Sequence, residues 1–411
     1  MKETILNNQQ KIKNISIRDR DFVFDNDLLK LNKFISFVWW RRVGKSSIMI
    51  KTIQNLVASN YIDYEDIVFW DFNELIWNKF NFEKLLSEYL SIFPDRKPFF
   101  VFDEIQEVDE FRNWLFVLYN RWYKIFLSGS NSKLLSSELS THFRGKVYEY
   151  MIYPLSLSEY LKFNDFQIKK YYNSQEKWLL QNHIYNYINY WWYPEISLIQ
   201  SIDKKIDIAK IYLDVMMYKD ILERYKLTNE FVLKYCIKRI LEWTSKLLST
   251  NNIYNDLKSQ NIKVSINTLY DIIQYLQNIF FLSLAENLYN SKAQKKIYII
   301  DNVYQNIYAR QLNLWQKFEN TIYNNIKYIT KKNIYYQKNG SEIDIYNDDI
   351  WKIQICYELN YDNVDREIKW LNTNDTILTY EYPTDNITKI CKDRDINIYS
   401  IYDYFIWNSL K

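Results

Sequence analysis

The 411-residue sequence predicts an α/β fold: a parallel sheet with helices on both faces, then a helical middle, then a small C-terminal α/β module. Three observations carry this reading. Over the first 150 or so residues, short apolar runs alternate with amphipathic helical patterns, as in strands joined by crossover helices. One of those runs leads through a short loop into Gly44-Lys45-Ser46 and then a helix. After Pro154 the pattern turns helical until roughly residue 290, and strand-like runs return near the C-terminal end.

Taken in order, residues 1 to about 30 are polar and read as helical, with no legible chemistry. FISFV (34–38) is a strand, and IMIKTIQNLV after the GKS has apolar residues at helical spacing. IVFW (67–70), FFVFDE (99–104), KIFLSGS (124–130) and VYEYMIY (147–153) are the further strands. FEKLLSEYLSIF and EFRNWLFVLY are helices between them. The segment 245–285 reads as three short helices running into an apolar strand, with Ser265, Asn267 and Thr268 as capping residues before the third. That order is a winged-helix pattern. From Phe318 a helix precedes NIYYQ, SEIDIYN and WKIQICYEL, three strand-like runs.

Composition excludes several classes. Lys+Arg 53 against Asp+Glu 50 leaves +3, so neither a strongly basic DNA-coating chain nor an acidic tail is indicated. No apolar run approaches the roughly 18 residues of a membrane helix, and the first residues show no signal-peptide core, so a cytoplasmic location and no membrane partner are expected. Three scattered cysteines (Cys236, Cys356, Cys391) and two histidines (His142, His183) exclude a disulfide framework and a Cys/His zinc cluster.

Gly44-Lys45-Ser46 supplies the second half of the phosphate-binding consensus G-x-x-x-x-G-K-[ST]. Backbone N–H groups from 40 to 46 would cradle phosphates at a helix N-terminus, with Lys45 neutralising charge and the Ser46 hydroxyl holding Mg2+. FFVFDE is the complementary signal, an apolar strand ending in two acids. Asp103 would support the metal and Glu104 would polarise the attacking water. Ser130 or Asn131, closing FLSGSN, could orient that water or the γ-phosphate, and Arg144 in HFRGK could reach a neighbouring subunit's nucleotide. Each signal alone is common in chains without this chemistry; their order, with a strand before each, makes the set specific.

RRVGKSS, FVFDEIQ, LSGSNSKLLSSELS, FRGKVYEYMIYPLSLSEYL and YPEI resemble the prokaryotic AAA-type ATPases that carry a DUF4143 C-terminal region. The resemblance runs from about residue 15 to 400. It implies an AAA-type P-loop ATPase core over 1–160, a helical lid or linker over 161–235, a winged-helix-like part over 236–300 and a PD-(D/E)XK-related module over 310–411. It also implies ATP and Mg2+ as cofactors, phosphate binding through residues 39, Arg42, Val43, Gly44, Lys45, Ser46 and Ser47, and oligomerisation with Arg144 reaching across. DNA or protein would be met through the winged-helix and C-terminal parts.

The departures from that family are patterned. Glycine is 4 of 411 residues, about 1% where roughly 7% is usual, while tryptophan reaches 14. The family has glycine at the position of Trp39, a small residue at Trp40, and glycines at Trp191 and Trp192; Trp122 and Trp315 also fall where glycine is expected. The hypothesis is that UGA codons of this gene mean glycine and stand here as tryptophan. Trp114, on an apolar helix face, reads instead as a true core residue. An indole at position 39 would cost about 1–3 kcal/mol in an unfavourable backbone conformation.

Two rival functions stay open. One is a nucleotide-binding regulatory module with little turnover. The other is a metal-dependent nuclease in the C-terminal module, with Glu319 as helical acid and Asp344 as metal ligand. Gln354-Ile355-Cys356 stands where (E/Q)-x-K belongs, so cysteine replaces the expected lysine, and Cys356 itself reads as core.

Overall fold

The computed structural model describes the chain apart from residues 73–79, 109–110, 130–142, 144, 191, 309–312, 339–341, 348–349 and 410–411. It divides into two compact units, Met1–Pro154 and Leu155–Lys411.

In the first unit, helix α1 (Lys2–Asn14) precedes strand β1 (Phe34–Val38), helix α2 (Lys45–Ala58), β2 (Ile67–Asp71), α3 (Phe82–Ile92), β3 (Phe99–Asp103), α4 (Phe111–Asn120), β4 (Lys124–Gly129) and β5 (Val147–Met151). The five strands form one parallel sheet in the order β2-β3-β4-β1-β5. All residues of β1 and β3 are buried, as expected of strands covered on both faces. The core is aromatic: Phe34, Phe72, Phe82, Phe100 and Phe102 pack with Val68 and Leu127. Trp114 packs on this core, its ring 5.0 Å from that of Phe82, as the sequence predicts. Register places Val38 opposite Gly129 and Asp71 opposite Asp103, so the C-terminal strand ends form one rim.

The polar N-terminal segment departs from the helix expected to residue 30. Helix α1 stops at Asn14, and the next ordered turn is a 3-10 stretch, Asn26–Lys30, capped by Asp25. Alternation is the reason: Phe22 and Phe24 both pack against Tyr150, and Arg20 donates to the carbonyls of Val43, Tyr153 and Pro154. That is strand-like spacing, not helical.

The second unit opens with α5 (Leu157–Phe163), α6 (Ser174–Tyr190) and α7 (Ile202–Val215), the last running into a π-helical stretch, Met216–Glu223. Then come α8 (Glu230–Glu242), α9 (Thr250–Ser259), α10 (Ile266–Asn278) and the antiparallel hairpin β6 (Leu282–Asn287) and β7 (Lys296–Ile299). Only two helices therefore lie within 245–285, where three were expected. Ser249 caps α9, accepting from the Asn252 N–H, and Leu247 makes a single bridge to Lys296 instead of joining a helix. Ser265 caps α10 as anticipated, accepting from Thr268 N–H at 3.0 Å.

Helix α11 (Leu314–Thr330) precedes β8 (Tyr335–Lys338), β9 (Glu342–Asn347), β10 (Ile350–Cys356), β11 (Thr376–Thr379) and β12 (Asn397–Ser400). One seven-stranded sheet runs β12-β11-β10-β9-β8-β6-β7. Strands β11 and β12, four residues each, extend beyond the three expected runs. Cys356 sits in the apolar core with Leu359, Val364 and Ile377, as anticipated.

Candidate functional site

Three parallel strands deliver the site. Strand β1 ends at Val38, and residues 39–44 turn before α2 starts at Lys45. Arg42 (φ 66°) and Gly44 (φ 90°) both adopt left-handed backbone. Such residues let a loop turn successive N–H groups to one side as an anion-binding nest, here at the N-terminus of a 14-residue helix. Val43 is fully buried and anchors the turn, while Arg42 and Ser47 are exposed.

Lys45 is buried, and its ammonium donates to the carbonyls of Trp39 (3.2 Å) and Trp40 (2.9 Å). It lies 3.9 Å from Glu104 Oε1. The charge is thus held beside the loop and near Glu104, the acid that follows β3. Asp103 is buried and hydrogen-bonded to the hydroxyls of Ser46 and Ser128. Burial, with the adjacent Glu104 charge, pushes the Asp103 carboxyl up to about 6; the two hydroxyls pull the other way. Ser128 Oγ also accepts from the Glu104 backbone N–H at 3.2 Å. Glu104 itself has a left-handed backbone (φ 50°) and takes a hydrogen bond from Gln106.

Lys45, Ser46, Asp103 and Glu104 are therefore brought together as the sequence predicts. Ser128 was missed. Its signal was a small polar residue near the end of an otherwise apolar buried strand, overshadowed by Ser130 and Asn131, which follow it. Those two and Arg144 lie outside the described residues. Ser46 and Asp103 present a hydroxyl and a carboxylate side by side, a hard-oxygen pair suited to Mg2+. Along α2, a cavity of about 310 Å³ is lined by Ile17, Arg18, Phe22, Ser47 and Lys51.

Two tryptophans have glycine's backbone. Trp39 has φ 157°, a region L-residues rarely enter, and its buried indole packs edge-on against Tyr153 at 4.8 Å. Trp122 has φ 59° just past α4: its N–H bonds to Tyr119 O and the next N–H, of Tyr123, to Leu118 O. That is the double-bonded helix stop in which glycine is usual. Trp40, Trp192 and Trp315 have no such φ, and Trp191 lies outside the described residues. Trp192 is fully buried, its indole N–H donating to Tyr187 O at 3.1 Å.

In the second unit, Glu319 of α11 and Asp344 of β9 come together, as the sequence suggested, around a residue it did not single out. Lys296 of β7 places its ammonium 2.8 Å from Glu319 Oε1, 2.7 Å from Asp344 Oδ1 and 2.7 Å from Glu342 Oε1. Tyr298 donates to Glu319 Oε1 at 2.8 Å.

Comparison with known proteins decides the family. A model of the AAA domain matches residues 32–161. The uncharacterized protein MJ1544 of Methanocaldococcus jannaschii is 30% identical over 429 residues, spanning 99% of this chain and 94% of that protein. The chain belongs to that protein's family. This AAA-domain protein is also 29% identical over 302 residues to an uncharacterized protein of Haemophilus influenzae, covering 70% of this chain and 69% of that one. Among solved structures it is similar to AMPPCP-bound DnaA from Aquifex aeolicus, at 13% identity over 66% of this chain and 85% of that one, TM-score 0.27. A score that low leaves the family resting on the domain match and the archaeal relative. No helix among the described residues is long and apolar enough to cross a membrane.

Proposed function

We propose that the protein is a Mg2+-dependent ATPase. The observation that carries the reading is the convergence of Lys45, Ser46, Asp103, Glu104 and Ser128 at the ends of β1, β3 and β4. In this reading the backbone of 39–44 and the N-terminus of α2 bind the phosphates, with Arg42, Val43 and Gly44 shaping the loop. Lys45 turns from the Trp39 and Trp40 carbonyls to the phosphate oxygens, a move of one flexible side chain. Ser46 and Asp103 would hold Mg2+, which would polarise the phosphoryl oxygens. Glu104 accepts the proton of the attacking water. Ser128 fixes both acids, through the Asp103 carboxylate and the Glu104 N–H. Ser47 borders the cavity, which is sized for the rest of a nucleotide. Asn131 keeps the role read from FLSGSN, orienting the attacking water or the γ-phosphate, and Arg144 the one that the family resemblance implies, reaching a neighbouring subunit in a homo-oligomer.

We further propose that glycine is the natural residue at positions 39 and 122, on the strength of their backbone angles. Peptide masses of the natively expressed protein should show glycine there, and tryptophan masses would sink the idea. The helices α8, α9 and α10 with the β6–β7 hairpin and the Leu247–Lys296 bridge support a winged-helix reading. The C-terminal part fits a DUF4143-type, nuclease-related module that contacts DNA or protein. The deciding experiment is Glu104→Gln, which should retain ATP binding and abolish turnover; a variant that still hydrolyses ATP at the original rate refutes the assignment.

A further inference from the structure

The Lys296 ammonium has three hydrogens, and three carboxylate oxygens stand at 2.7–2.8 Å from it. Its donors are matched one for one by Glu319, Glu342 and Asp344. The carboxylates come from α11 and β9, while the lysine comes from β7, three strands away from β9 in the sheet order. Lys296 and Glu319 are fully buried and Asp344 nearly so; the Glu342 side chain is 34% exposed. Asp344 Oδ2 is also engaged, accepting from the Ile355 N–H at 2.9 Å.

Oxygens converging on one point are what a hard cation selects, but at about 2.0–2.6 Å rather than at hydrogen-bond length. Among the described residues, with Lys296 in place, no group of three His, Cys, Asp or Glu side chains could hold a metal ion. Removing one member of such a cluster would leave uncompensated buried charge, so the ammonium and its acids stand or fall together. One feature does resemble a metal site: Glu319 Oε2 is buried without a hydrogen-bond partner.

We propose that Lys296 is the resident cation of the C-terminal module. It fills the point on which Glu319, Glu342 and Asp344 converge, cross-linking β7 to β9 and α11, and leaves no place there for a divalent ion. With that point filled, these acids cannot hold the divalent ion that metal-dependent phosphodiester cleavage needs. This inference is independent of the ATPase reading, which concerns the other unit.

The test is Mn2+ binding to the full chain without nucleotide, counted by isothermal titration. Wild type and Glu342→Gln should bind the same number of ions. Lys296→Ala should gain one Mn2+ per chain, and Lys296→Ala with Asp344→Asn should lose it again. A wild-type Mn2+ that Glu342→Gln weakens tenfold or more overturns the proposal and makes the cluster a metal site. So does a folded Lys296→Ala chain that gains no ion. If Lys296→Ala fails to fold, the comparison of wild type with Glu342→Gln decides alone, since Glu342 is the partly exposed member.

Discussion

Replacing Trp39 by glycine should strengthen nucleotide binding without strengthening the fold. At φ 157° the tryptophan backbone carries strain of about 1–3 kcal/mol that glycine would not. Against that, the indole is 5% exposed, and its burial is worth about 1.5–3 kcal/mol. Its edge contact with Tyr153 adds about 0.5–1.5 kcal/mol. Stability of the Trp39→Gly chain should therefore be even or lower, while ATP affinity rises at least about tenfold, or 1.4 kcal/mol, as the loop regains freedom to close on phosphate. Trp122 separates the two effects. Its side chain is 59% exposed, so glycine there relieves left-handed strain of about 1 kcal/mol at little burial cost. Trp122→Gly should raise the melting temperature of the first unit by about 2–4 °C and leave ATP affinity alone. Titration of a fluorescent ATP analogue and thermal unfolding on both variants read the two quantities. Unchanged affinity in Trp39→Gly, or a lower melting temperature in Trp122→Gly, refutes the reasoning.

Further outcomes follow from the same geometry. Ser128→Ala removes the hydroxyl that joins Asp103 to the Glu104 N–H; turnover should drop about 10–100-fold, on the scale of one lost positioning contact, with nucleotide affinity nearly kept. A proton competes with Mg2+ for the Asp103 carboxyl, held up to about 6 before the ion binds, so Mg2+ affinity should fall as pH drops through that value; an Mg2+ affinity unchanged from pH 7 to 5 contradicts the assignment. Lys45→Ala should abolish nucleotide binding without lowering the melting temperature by more than a few degrees.

The P-loop and the paired acids were legible because each is local: Gly44-Lys45-Ser46 follows one strand, and Asp103-Glu104 ends another. Ser128 was not, since its role depends on parallel register between β3 and β4, which nothing in FLSGSN reveals. Lys296 was hidden more deeply. It stands 48 residues before Asp344, and only the sheet topology brings it to that carboxylate. The N-terminal helix was overextended because the segment after Asn14 is polar, while Phe22 and Phe24 alternate at strand spacing around Tyr150. Composition shows that tryptophan is in excess and the family pattern puts glycine at 39 and 122; the backbone angles separate those two positions from Trp40, Trp192 and Trp315.

The most direct test of the central claim is ATP turnover with Mg2+ by the Trp39→Gly chain, with and without Glu104→Gln. The account predicts Mg2+-dependent phosphate release by the first and ATP binding without release by the second. No turnover in Trp39→Gly, or equal turnover in both, would contradict it.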